Sequence, residues 1–244
     1  MLAPEIVDTH ERVQRELSDI FNATLNETEI GMTPGQVREN LAKKLKDGGF
    51  DGTWDYRPAK ARVYANQDTR QNIHMVPYAI DDTTRLAAGD LLTLVSRPIK
   101  DGTKTRAFGV ISRFMAKDGQ HRELPESVDH DKGEAAFFSI YQRIPAMLTE
   151  MDPNTKAVDA FKTVTEYLKR AGILMAAKKR MGYPLAGLDL SSTFKMETSE
   201  QTLAELAPFY LTVPIQYSAG RPLVYRQGQS LALRDGSLQR LIRR

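Results

Sequence analysis

Apolar residues recur at Val13, Leu17, Ile20, Phe21 and Leu25. Steps of three and four put them on one face of a helix, predicted over roughly Glu5 to Asn26. Gly31-Met32-Thr33-Pro34 then breaks and restarts the chain. The glycine interrupts, Thr33 can cap the next helix, and Pro34 suits its first turn. Val37, Leu41 and Leu45 line that second helix, which stops at Gly48-Gly49. Beyond it the period shortens to that of strands, predicted at Ala61 to Ala65, Asp90 to Arg97 and Arg106 to Ala116.

A polar stretch, 117–132, reads as a solvated connection, and then the pattern returns. Phe137, Tyr141, Ile144 and Leu148 mark a helix over Ala135 to Glu150, with Pro145 a kink. Met151-Asp152-Pro153 echoes Met32-Thr33-Pro34, and Ala157, Phe161, Val164 and Leu168 line a helix that runs on to Gly172. Strands are predicted again near Tyr210 to Gln216, Leu223 to Arg226 and Ser230 to Arg234. Helix, loop, helix and strands thus occur twice. This internal duplication implies two similar α/β halves sharing one sheet.

Composition narrows the function classes. The 244 residues suffice for one sizeable core. No apolar run approaches the length of a membrane-spanning helix. The start lacks a basic n-region and an apolar h-region, so no secretory signal is expected and the cytoplasm is the default compartment. The absence of cysteine excludes disulfides, thiolate metal sites and a cysteine nucleophile. Net charge is only +3, and its clearest basic runs are Lys178-Lys179-Arg180 and Arg240 to Arg244. Two short runs are not a nucleic-acid footprint. No phosphate loop and no Gly-x-Ser-x-Gly elbow is present.

Several motifs, in order, resemble the aminopeptidase–creatinase superfamily, the peptidase M24 group. They are Gly31-Met32-Thr33-Pro34, His74-Met75-Val76-Pro77, Leu86-Ala87-Ala88-Gly89-Asp90, Ile99-Lys100-Asp101-Gly102, Arg180-Met181-Gly182-Tyr183, Leu211-Thr212-Val213-Pro214, and Arg226-Gln227 through Asp235-Gly236. The resemblance covers almost the whole chain. It implies a pita-bread α/β (α+β) fold in one domain, 1–244. Halves of roughly 1–116 and 133–244 would be pseudo-symmetric and share a curved, mostly antiparallel sheet with helices outside.

Active aminopeptidases of this group hold two divalent ions with two aspartates, a histidine and two glutamates. Carried over by motif, those ligand positions fall on Val95, Arg106, Tyr183, Pro214 and Gln227. None is a carboxylate or imidazole, and guanidinium cannot be deprotonated in a protein. The resemblance therefore implies a member without metal or other cofactor.

His74 is the family active-site residue that survives, and an imidazole can take and return a proton near neutral pH. Creatinase, a relative that works without metal, supplies the precedent. Arg106 can bind an anion bidentately, Tyr183 can orient a substrate, and Gln227 can donate to an oxyanion. Each has a structural alternative: Arg106 paired with Asp101 or Asp189, and His74 satisfied beside Pro77. His10, His121 and His130 read as polar or exposed, Asp81-Asp82 and Asp129/Asp131 as turns, and Trp54 near Tyr56 as packing.

The expected function is a metal-independent, creatinase-like hydrolase or lyase acting on a small anionic or amide-containing molecule. A non-catalytic pseudo-peptidase binding a peptide, protein or nucleic acid is the alternative, and a metallo-aminopeptidase the second. Many relatives form homodimers. Leu238, Leu241 and Ile242 would pack either on a second copy or on the chain's own core.

Overall fold

The computed structural model describes residues 3–53, 61–65, 84–115, 121–122, 143–171, 182–185, 196–218 and 222–242. Helix α1 spans Pro4–Asn26 and buries Val13, Leu17, Phe21 and Leu25, as their spacing requires. Helix α2, Pro34–Asp47, begins in a capping box. Thr33 Oγ1 accepts from the Gln36 amide at 3.3 Å, and the Thr33 amide donates to Gln36 Oε1 at 2.8 Å. Pro34 has no amide hydrogen, so two of the three orphan amides at the helix start are satisfied this way. At the far end Gly49 takes φ of +71°, which an L side chain adopts only with strain. The Gly49 carbonyl then accepts from the Asp101 amide at 2.8 Å, tying α2 to a later hairpin.

The strands form two sheets. Strands β1 (Phe50–Thr53), β4 (Pro98–Lys100) and β5 (Thr105–Arg106) make the smaller one. The larger contains β2 (Ala61–Ala65), β3 (Leu91–Ser96), β6 (Gly109–Met115), β8 (Gly182–Pro184), β9 (Phe209–Ser218) and β10 (Pro222–Arg234). Its order is β2-β3-β6-β10-β9-β8, with β7 (His121–Arg122) added to β6 and β11 (Ser237–Arg240) to β10. Among the described residues every strand pairing is antiparallel. The N-terminal strands thus lie on one side of the β6·β10 junction and the C-terminal strands on the other.

Each set has its own helices. The apolar face of α1 and α2 packs on Leu92, Leu94, Ile111 and Met115. Helix α3 (residues 143–150) and helix α4 (Ala157–Arg170) bury Leu148, Val164 and Leu168 against Phe209, Leu211 and Leu231. The ends of the chain meet as well. Val7 packs on Ala232 and Leu241, and Arg234 donates to Asp8 and Glu11, both at 2.7 Å.

Helix α4 starts at Ala157, the first residue of its expected apolar face, and residues 153–156 before it are engaged by α5 (Leu203–Leu206). The amides of Leu203 and Ala204 donate to the carbonyls of Thr155 and Pro153 at 3.0 and 2.9 Å. The two strands expected at Leu223 to Arg226 and Ser230 to Arg234 are one continuous β10. The polar connection contributes β7, where His121 pairs with Met115. Of the two alternatives for the C-terminal segment, Leu238 and Leu241 take the chain's own core, where they are 2% and 3% exposed. The helix expected from Ala135 is described from residue 143 onward. Among the described residues no helix is long and apolar enough to cross a membrane.

The packing makes a direct prediction. Leu41 is fully buried between the two N-terminal helices and the sheet. Leu41→Ala should lower the unfolding free energy by about 2–5 kcal/mol. Ile30, 43% exposed, should change it by no more than about 0.5 kcal/mol when replaced by Ala. Urea unfolding of the two variants checks both.

Candidate functional site

Of the five positions that the motif resemblance aligns with metal ligands, four lie on strands of the large sheet. Val95 on β3 stands opposite Val110 on β6. The next residue of β6, Ile111, stands opposite Gln227 on β10, and Gln227 stands opposite Val213 on β9. One rung along, Pro214 faces Arg226. Tyr183 on β8 faces Tyr210 on β9. Arg106 sits apart, on β5 of the small sheet, opposite Ile99. His74, Trp54 and Asp189 lie outside the described residues.

The surroundings of Val95 are apolar. Val95, Phe108, Val110, Leu185 and Tyr210 form a buried cluster, with Ile99 packed against it. The Phe108 and Tyr210 rings meet edge to face, with centroids 4.7 Å apart at 62°. The Arg97 guanidinium lies over the Phe108 ring at 5.1 Å. Arg106 is 6% exposed. An aliphatic side chain supplies no donor atom, and a guanidinium raises the cost of bringing a cation near. These two residues do not fit a pair of divalent ions. Among the described residues, no three His, Asp, Glu or Cys side chains converge as metal ligands would.

At the centre of this cluster one hydroxyl serves two backbone groups. Tyr210 Oη accepts from the Val110 amide at 3.0 Å and donates to the Val110 carbonyl at 3.3 Å. Strands β6 and β10 share a single rung, Ile111 with Gln227. Beyond it the phenol hydroxyl supplies the Val110 groups with the partners that a neighbouring strand would otherwise provide. The ring lies against Gly228. A Cβ there would fall 2.0 Å from Tyr210 Cε1 and Oη, far inside van der Waals contact, so glycine is required for close approach.

Two buried hydroxyls nearby have no partner, Thr212 Oγ1 and Ser230 Oγ. They occupy the rungs opposite Gly228 and Tyr210 respectively. Thr93 and Ser112, by contrast, satisfy each other at 2.8 Å.

His10 corrects the reading of its position as polar or exposed: it is 5% exposed. It precedes Val13 and Leu17 by three and seven residues, which places it on the apolar face of α1. Its imidazole hydrogen-bonds the Arg106 backbone. Burial, aided by the Arg106 charge, brings its pKa down to about 4. The helix carrying His10 is thereby fastened to the strand carrying Arg106. Next along it, the Gln14 side-chain amide donates to the Phe108 carbonyl at 3.0 Å and accepts from the Phe108 amide at 2.9 Å.

Sequence reasoning passed over Tyr210, Gly228, Thr212, Ser230 and His10. A glycine inside an alternating strand signals a bulge or a close approach, and Gly228 is one. It was read instead as a gap between two strands.

No protein-family model and no curated protein sequence matches this chain. Solved structures do. A prolidase from Thermococcus sibiricus superposes with a TM-score of 0.74 at 12% identity, over 100% of this chain and 60% of its own. A dipeptidase from Pyrococcus horikoshii OT3 gives 0.73 at 18% identity, over 99% and 61%. An X-Pro aminopeptidase from Thermotoga maritima MSB8 gives 0.71 at 13% identity, over 98% and 61%. The fold is that of the prolidases and X-Pro aminopeptidases. The chain spans about three fifths of the length of these neighbours. At such identities the likeness is one of fold, the pita-bread architecture of the M24 peptidases.

Two outcomes follow from this geometry. Tyr210→Phe removes both partners of Val110 and should cost about 1–3 kcal/mol. Gly228→Ala should cost more than about 1 kcal/mol through overpacking against the ring, and much less in a Tyr210→Ala background. A double-mutant cycle in urea measures that coupling.

A third outcome concerns pH. An imidazole with a reference pKa of 6.5 titrates near 4 in the fold, so the unfolded chain binds the extra proton between those values. His10 therefore contributes full stability above pH 6.5, and the contribution fades as pH falls toward 4. Between about pH 7.5 and pH 4.5 the native chain should lose about 2 kcal/mol more than His10→Gln. Equal losses in the two proteins would contradict the assignment.

Proposed function

We propose that this chain is a metal-independent enzyme built on the prolidase-like pita-bread shell. It would be one domain whose halves, roughly 1–116 and 133–244, are related by pseudo-twofold symmetry. Its substrate would be a small anionic or amide-containing molecule, transformed by hydrolysis, elimination or isomerisation. His74 would act as general acid and base, Arg106 would bind the anionic or carbonyl group, and Tyr183 and Gln227 would orient the substrate. The observation that carries this reading is the burial of Arg106 on β5, opposite Ile99, which packs against the apolar cluster around Val95. A fixed positive charge in such surroundings favours an anion and opposes a divalent cation. The strand order supports the two halves, since β6 and β10 form their junction.

A second reading is a non-catalytic pseudo-peptidase that binds a peptide, protein or nucleic acid. The packing of Phe108, Leu185 and Tyr210 around Val95 favours it, because these side chains fill space that a substrate pocket would leave open. The metallo-aminopeptidase reading has no such support, given Val95 and Arg106.

A small-molecule screen separates the first two. Metal-stripped protein would be exposed to carboxylates and simple amides, with melting temperature and substrate conversion by NMR as readouts. The enzyme reading expects a ligand that raises the melting temperature. Arg106→Lys, which keeps the charge but loses the fork, should weaken its binding at least about tenfold, or 1.4 kcal/mol. His74→Asn should keep binding and abolish conversion. Binding confined to peptides or nucleic acid, with no conversion, would establish the second reading instead.

A further inference from the structure

The first two turns of α1 are held differently from the rest of that helix. From Val13 onward its apolar face belongs to the large cluster shared with α2 and the sheet. Ahead of that point Val7 packs in a separate small cluster with Ala232 and Leu241. Arg234 of β10 reaches Asp8 and Glu11, and His10 bonds the Arg106 backbone. No side chain caps the start of the helix, at Ala3. Its first amides therefore lack the support that α2 draws from Thr33.

We propose that residues 4–11 form an acid-sensitive strap, fastened by His10 to the strand that carries Arg106. The fastening is independent of what Arg106 binds.

The geometry around the ring explains the sensitivity. A protonated imidazole is a donor at both nitrogens. Nδ1 is buried with no partner, and His10 as a whole is 5% exposed. The closed strap thus holds no acceptor for an added N–H, whereas water supplies one once the strap lifts. The Arg106 guanidinium is the charge felt by the ring, and it opposes a second positive charge. Asp8 and Glu11 of α1 are turned to Arg234 of β10. Further along, Lys100 of β4 is paired with Glu16 of α1 at 2.7 Å.

The other ties are weaker or indifferent to protons. Val7 has nothing to ionise. The Arg234 pairs are open to solvent, which screens them. In the closed strap His10 titrates near 4, and in the lifted strap it returns to its reference value of 6.5. The lifted form therefore binds the extra proton as pH falls below 6.5, and closure weakens from there toward pH 4.

Native-state hydrogen exchange tests this, with rates corrected for the intrinsic effect of pH. In the native chain the amides of residues 6–12 should exchange faster than those of 17–25 and be insensitive to low urea, as a local opening is. Between pH 7.5 and pH 5 their exchange should speed about thirtyfold, the ratio set by titration at 6.5 when lifted and near 4 when closed. In His10→Gln, which keeps a side-chain amide but takes no proton, that rise should vanish. Equal rises in the two proteins would overturn the proposal. So would the absence of a native rise by pH 5, or exchange of 6–12 that matches 17–25 and follows urea as global unfolding does. If the variant fails to fold, the native chain decides alone. A urea-independent rise that sets in near pH 6.5 upholds the strap, and any other profile sinks it.

Discussion

The contact between the Tyr210 hydroxyl and both polar groups of Val110 is the constraint on which the centre of this molecule depends. A sheet built from two sets of strands must be joined somewhere, and here the ladder supplies only one rung between them. Buried amides and carbonyls left without partners are expensive, so a side chain has to complete the junction. That choice fixes its neighbours. Gly228 must lack a side chain, since the ring occupies its Cβ space. Phe108 packs on the ring edge, and Gln14 holds the Phe108 backbone from α1. Helix, junction and apolar cluster are thus one connected unit.

The same unit holds Val95, a position that the motif resemblance aligns with a metal ligand of the peptidases. Val95 lies inside the apolar cluster, and Arg106 is buried on the adjoining small sheet. Two carboxylates in those places would need compensating cations, because an unpaired buried charge is costly. Replacing them by valine and a positive side chain removes that demand. His10 remains neutral beside Arg106 at ordinary pH for the related reason that burial opposes a second positive charge.

Much of the scaffold was legible in the residues. The helices followed from three-and-four spacing, and the start of α2 followed from Thr33 and Pro34. Strand β2 fell where alternation placed it. The interior of the junction was not legible. Tyr210 is one aromatic in an apolar strand, and nothing local shows that its hydroxyl reaches a residue one hundred positions away in the chain. The continuity of β10 was hidden by Gly228, whose meaning depends on the ring lying over it. His10 was misread because a polar residue type outweighed its place on the apolar face of α1. Nor does anything local show that α5, distant in sequence, takes the carbonyls of Pro153 and Thr155 just before α4.

The central claim is that this shell works without the dinuclear metal centre. Its most direct test is metal content. The purified protein would be incubated with excess manganese, cobalt or zinc, passed through a desalting column and analysed by mass spectrometry for bound ions. The account predicts no stoichiometric metal in any of the three samples. Two ions per chain, retained through the column, would contradict it.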